Sequence, residues 1–173
     1  MKRIVTFLVA AWLLLLSGCS SGQKTLAAQD IDFVFSCKID VTSPSGNLTC
    51  SFDRAGRQSA AIAVLSGNGS GLKWYWNGDG FRQTYFGLSA GSETCVLPEK
   101  SFASTLVKAL DCAEQPGTLD SVGENAFSGS INGCAFTITA DGNTGKIRTL
   151  SVPDRSLTVT FHDFSKPALQ TLT

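Results

Sequence analysis

The stretch 31-IDFVFSCKIDVTSPSGNLTCSF-52 decides the fold. Its first half places apolar residues at Ile31, Phe33, Phe35, Cys37, Ile39 and Val41, with mostly polar residues between them. A period of two marks a strand with one buried face. Ser43-Pro44-Ser45-Gly46-Asn47 breaks the run with turn-forming residues. Leu48, Cys50 and Phe52 then resume the alternation, so the two runs read as an antiparallel hairpin. Cys37 and Cys50 lie on its apolar face, and pairing about the turn sets them nearly opposite. Opposed Cα atoms, about 4.5–5.5 Å apart, are within disulfide reach. Two readings follow: a Cys37–Cys50 disulfide, or two thiols packed in the core.

The same logic extends along the chain. Ala60 to Leu65 is a short apolar strand. Leu72-Lys73-Trp74-Tyr75-Trp76 faces Phe81-Arg82-Gln83-Thr84-Tyr85-Phe86 across Asn77-Gly78-Asp79-Gly80, a strong hairpin signal. Trp74 and Trp76 share one face, as core or cavity wall, or as a platform for a ligand. Ser101 to Leu110 reads as a helix capped by Ser101, with Phe102, Leu106, Ala109 and Leu110 on one stripe. Ala126 to Ile131 is a strand, Cys134, Phe136 and Ile138 alternate, and Asp141-Gly142-Asn143-Thr144-Gly145 turns the chain. Ile147, Leu150 and Val152, then Leu157, Val159 and Phe161, complete a meander. His162 falls on the polar face of that last strand.

The N-terminus has a different character. Met1-Lys2-Arg3 is followed by an apolar run from Ile4 to Leu16, too short for a bilayer span of about 20 residues. It fits a secretory leader. The run ends Leu16-Ser17-Gly18-Cys19, which resembles the lipobox of bacterial lipoproteins. That resemblance implies cleavage before Cys19, diacylglycerol on its thiol, and export to the outer face of a bacterial membrane, or to an outer membrane where there are two. Residues 1–18 are then leader, 19–30 lipidated cysteine and tether, and 31–173 a single β-rich domain.

Composition excludes several functions. Lys+Arg and Asp+Glu are 14 each, and Lys2 and Arg3 belong to the leader, so the remaining chain is slightly acidic. No basic patch invites nucleic acid. Cys37, Cys50, Cys95, Cys112 and Cys134 include no CxxC pair, and His162 is the one histidine, so no metal site is expected. No nucleophile, base and orienting group are recognisable together, and no cofactor is implied. The expectation is a non-catalytic protein.

The order of elements is now clear: lipidated cysteine, antiparallel hairpins, one amphipathic helix after "CVLPEKSF", and the meander "FSGSINGCAFTITADGNTGKIRTLSVPDRSLTVTFHDF". It resembles the half-barrel lipoprotein carriers, the LolA/LolB-like and LppX/LprG-like proteins. The resemblance implies a β-rich α+β fold, with a curved antiparallel sheet and one or two helices on its concave face. It also implies an apolar cavity for lipid or acyl chains. This chain departs by having less helix, which implies a smaller cavity. Phe33, Phe35, Trp74, Trp76, Phe86, Phe136 and Phe161 are the candidate lining, although the same side chains could fill a solid core. The competing reading is a surface module that grips glycan or a partner protein through exposed aromatics.

Overall fold

A computed structural model describes residues 25–78, 80–94 and 97–166. The leader, Cys19 and Cys95 lie outside the described residues. Eleven strands form one antiparallel sheet: β1 Phe35–Ser43, β2 Gly46–Gly56, β3 Ser59–Ser66, β4 Leu72–Trp76, β5 Phe81–Tyr85, β6 Leu88–Ser92, β7 Asp120–Gly123, β8 Ala126–Ile131, β9 Cys134–Ala140, β10 Ile147–Val152 and β11 Leu157–Ser165. Their order across the sheet is β6-β5-β4-β3-β2-β1-β11-β10-β9-β8-β7. One meander, β1 to β6, runs outward from the centre, the other, β7 to β11, runs inward from the far edge, and they join where β1 pairs with β11. The helix α1, Phe102–Ala113, is the crossover between the two outer edges.

Alternation makes one face of this sheet apolar. From β1 come Phe35, Cys37, Ile39 and Val41; from β11 come Leu157, Val159 and Phe161. All are buried, while Lys38, Asp40, Thr158 and Thr160 between them are exposed. Each large apolar side chain so buried contributes roughly 1.5–3 kcal/mol. The sheet wraps the helix from both sides. Phe102 packs edge-on against Trp74 of β4, with centroids 5.7 Å apart. On the far side the Cys112 thiol reaches the Ser130 carbonyl of β8 at 3.5 Å. Contact with strands so far apart in the sheet requires the half-barrel curvature.

Several sequence expectations shift. The first strand begins at Phe35 rather than Ile31. Ile31 and Phe33 are still buried, in a segment pinned where the Asp32 N–H donates to the Gly145 carbonyl at 2.9 Å. The domain also reaches further back than Ile31. Leu26 is buried, and its N–H donates to Asn125 Oδ1 at 3.0 Å, so residues 26–30 pack on the domain rather than tethering it. The strands β6 and β7, short and rich in Gly and Ser, carry no alternation to announce them.

The Cys37–Cys50 disulfide is not formed; both thiols are free and buried. The hairpin closes at Pro44-Ser45, so Cys37 stands opposite Phe52 and Cys50 opposite Ile39. The two cysteines are diagonal neighbours, with Cα atoms about 7–8 Å apart, at the edge of what a disulfide can span.

Candidate functional site

The helix is held over the sheet by an arginine at each end. Ser101 caps its start, accepting from the Ser104 N–H at 3.2 Å. Beside that end, Arg155 Nη1 donates to the Glu99 carbonyl and to Thr105 Oγ1, both at 2.9 Å. At the other end Arg54 of β2 is wholly buried. It donates to Asp111 Oδ1 at 2.8 Å, Glu114 Oε2 at 2.7 Å and the Phe33 carbonyl at 2.6 Å. Its guanidinium also lies over the Phe33 ring, 5.7 Å from the centroid. A buried charge is tolerated only when paired and hydrogen-bonded, and Arg54 joins sheet, helix and N-terminal segment at one point. The alternation Leu48, Cys50, Phe52 continues to Arg54, so its inward direction could have been read from the sequence.

Cavities open next to both arginine-held ends. The larger, of about 550 Å³, lies at the helix start between the β1–β2 turn and β11. Leu48, Phe102, Cys134 and Leu157 supply apolar wall; Ser45, Lys100, Asp154 and Arg155 supply polar groups. The second, of about 380 Å³, lies between the helix and the β4–β5 hairpin, with Trp76, Leu97 and Val107 against Glu93, Lys108 and Asp111. None of the wall residues of the larger cavity was a candidate from sequence. They are scattered over four elements, and only the register brings them together.

The seven candidate lining residues divide. Phe35, Phe161, Phe52 and Phe164 form one aromatic cluster around Phe35, with ring centroids 5.6 to 5.9 Å from it. Phe136 lies over Gly129 of the neighbouring strand, which has no side chain to exclude it. Phe33 packs under Arg54, and Trp74 against Phe102. Trp76 borders the smaller cavity. Phe86 is the exception: it is 77% exposed. The strand ends at Tyr85, and Phe86-Gly87 form the two-residue turn into β6, so the ring leaves the apolar face altogether.

Of the two readings of Trp74 and Trp76, core or cavity wall rather than platform agrees with their burial: both are 8% exposed. Trp74 also donates its indole N–H to Gln83 Oε1 at 3.1 Å. A glycan grip through Trp74 and Trp76 is therefore not available.

His162 is on the outer face, with Nε2 3.1 Å from Asp40 Oδ2 and Nδ1 3.5 Å from Asp163 Oδ2. Lys38 Nζ donates to Asp163 at 3.0 Å and holds that carboxyl below the usual range. The chain does carry one G-x-S-x-G spacing, Gly87-Leu88-Ser89-Ala90-Gly91. Ser89, however, lies inside β6 opposite Thr84, not at the strand-to-helix turn that exposes a nucleophile. Five strands separate it from His162 on β11, about 25–30 Å of sheet. Among the described residues no three His, Cys, Asp or Glu side chains are grouped to hold a metal ion.

No family model matches this chain, and no curated protein does. Among solved structures, an uncharacterized conserved protein from Thermus thermophilus is similar over 87% of this chain and 90% of its own, at 9% identity and a TM-score of 0.52. That likeness is one of fold. LprF from Mycobacterium bovis is similar over 86% of this chain and 93% of its own, at 11% identity and a TM-score of 0.42. A LolA superfamily protein from Nitrosomonas europaea is similar over 85% and 90%, at 8% identity and a TM-score of 0.43.

Proposed function

We propose that this chain is an exported lipoprotein, anchored through diacylglycerol on Cys19, that holds a lipid or acyl chain between helix and sheet without chemical change to it. The observation that carries the reading is the cavity of about 550 Å³ beside the helix start. Small-molecule pockets run from about 300 to 1,000 Å³. Leu48, Phe102 and Leu157 offer an apolar tail a dry surface, worth about 25 cal/mol per Å² buried. Lys100 and Arg155 at the same site suit the polar end of an amphiphile. Of the aromatic candidates we retain Trp76 as a cavity wall. Phe33, Phe35, Trp74, Phe136 and Phe161 pack the interior and keep the sheet's shape. The leader of residues 1–18 and the Leu16-Ser17-Gly18-Cys19 motif support the anchor, with residues 19–24 as tether.

Native mass spectrometry tests both halves. The full chain is produced in a bacterial host with its own leader and purified from membranes. The expected spectrum shows a chain starting at Cys19 with a covalent lipid, and a further mass that is lost on denaturation. Leu48→Arg keeps the covalent lipid and loses the further mass. A covalent lipid with no other added mass in the wild type overturns the cavity reading; an unmodified Cys19 overturns the anchor.

A further inference from the structure

The turn between β5 and β6 is built to present apolar side chains to its surroundings. Phe86 and Gly87 both have positive φ, 44° and 84°. Two-residue turns of this kind favour Asn-Gly, because a bulky side chain rarely adopts a left-handed backbone. Here the first position is an aromatic residue, and its ring points outward, 77% exposed. Leu88 is 74% and Tyr85 42% exposed. The Phe86 ring is also positioned rather than free. It meets Tyr85 edge-on at 4.6 Å between centroids, and it lies against Gly71, where a Cβ would come within 3.2 Å of the ring.

We infer that this tip inserts into the interfacial layer of an anionic lipid bilayer. Three features select that occupant. The tip is a two-residue turn that offers about three exposed apolar side chains, Tyr85, Phe86 and Leu88, too few for a protein interface of roughly 1,000 Å² or more, whereas a bilayer accepts a wedge. Aromatic and aliphatic side chains with nearby cations are the composition that partitions to the membrane interface. Lys73, exposed on β4 opposite Thr84, is the cation nearest the tip, and Arg82, exposed opposite Tyr75, lies further along β5. Between Asp53 and Glu93 the sequence has one acidic residue, Asp79, and it falls in the connection at the other end of the β4–β5 pair. The charge nearest the tip, that of Lys73, therefore complements an anionic surface. The inference does not depend on the cavity or on Cys19.

The test places a reporter at the tip. Full-chain protein carrying Phe86→Trp is combined with vesicles of zwitterionic lipid, with or without an anionic lipid, whose acyl chains carry bromine. Trp12 lies in the leader and Trp74 and Trp76 are buried, so the emission that Phe86→Trp adds over the wild-type chain belongs to position 86. The expected result is a blue shift and quenching by the brominated chains, stronger with anionic lipid. Lys73→Gln with Arg82→Gln removes the dependence on anionic lipid. A tryptophan placed instead at Val122, exposed on the opposite edge strand, stays unquenched. Emission from position 86 that bromine leaves unchanged and an aqueous quencher still reaches overturns the inference. So does equal quenching at positions 86 and 122, which means the domain merely rests on the surface.

Discussion

Arg54 sets the energetics at the residue scale. Among the described residues it is the one arginine in the fully buried set, and its side chain has no exposure, while Asp111 and Glu114 keep 20% and 26% of theirs. Truncation removes the guanidinium from both carboxylates and from the Phe33 carbonyl, leaving Asp111 only the Gln58 N–H at 3.2 Å. Arg54→Ala is expected to cost about 3 kcal/mol or more, read as a lower denaturant midpoint. Asp111→Asn with Glu114→Gln strands the guanidinium instead and is expected to be comparably destabilising. The two core cysteines behave differently. Burial first and Asp53 second push the Cys37 thiol up to about 12. Burial and then Asp40 do the same for Cys50. Both stay protonated and inert near neutrality. A thiol reagent is expected to modify the half-buried Cys112 and Cys134 in the native protein, and Cys37 and Cys50 only after unfolding. The raised values also give an alkaline limit. Their contribution to stability is complete below the ordinary thiol value of 9.0 and is lost as pH rises toward about 12.

At the scale of elements, two neighbouring features govern the β8–β9–β10 region. Gly129 stands opposite Phe136, and a Cβ there would meet the ring, with Cε1 at 2.8 Å. Gly129→Ala is expected to destabilise by about 1–3 kcal/mol through forced displacement of that ring. The loss shrinks when Phe136→Leu is added, and a double-mutant cycle reads the coupling. The β9–β10 turn is organised by Asp141. It accepts from Arg148, from the Thr144 N–H and hydroxyl at 3.0 Å, and from the Asn143 N–H at 3.1 Å. Those partners, Arg148 foremost, hold its carboxyl down from 3.8 to about 2. A lowered carboxylate stabilises the fold above its ordinary value and ceases to do so as pH falls through the folded one. Stability is therefore expected to drop between pH 3.8 and about 2, with a smaller drop in Asp141→Asn. Denaturant titrations across that interval measure it.

For the whole molecule, the half-barrel depends on its two meanders meeting at β1 and β11 and on one helix crossing between their edges. The tryptophans report whether that closure holds in solution. Trp74 and Trp76 are packed between helix and sheet, so the processed protein is expected to emit in the blue and resist aqueous quenchers. Red-shifted, readily quenched emission would mean the helix does not cover the sheet. Alternation made the strands of the central hairpin and the closing meander readable, because a side-chain period of two is a local property. The Ser101 cap and the stripe of Leu106, Ala109 and Leu110 made the helix readable for the same reason; all three are 0% exposed. The larger cavity was not readable. Leu48, Phe102, Cys134 and Leu157 lie on four separate elements, and their meeting depends on curvature.

From the sequence alone follow the antiparallel strands, their buried faces, the capped helix, the leader-like N-terminus and the absence of a recognisable catalytic set. Each rests on residues within a turn or two of one another. Tertiary structure decided the rest. A two-residue loop set a register that keeps Cys37 and Cys50 apart. A turn at Phe86-Gly87 sent one candidate lining residue to the outside. Arg54 found carboxylates 57 and 60 residues away. Such outcomes depend on where distant segments are brought together, and a register displaced by one residue would reverse every face.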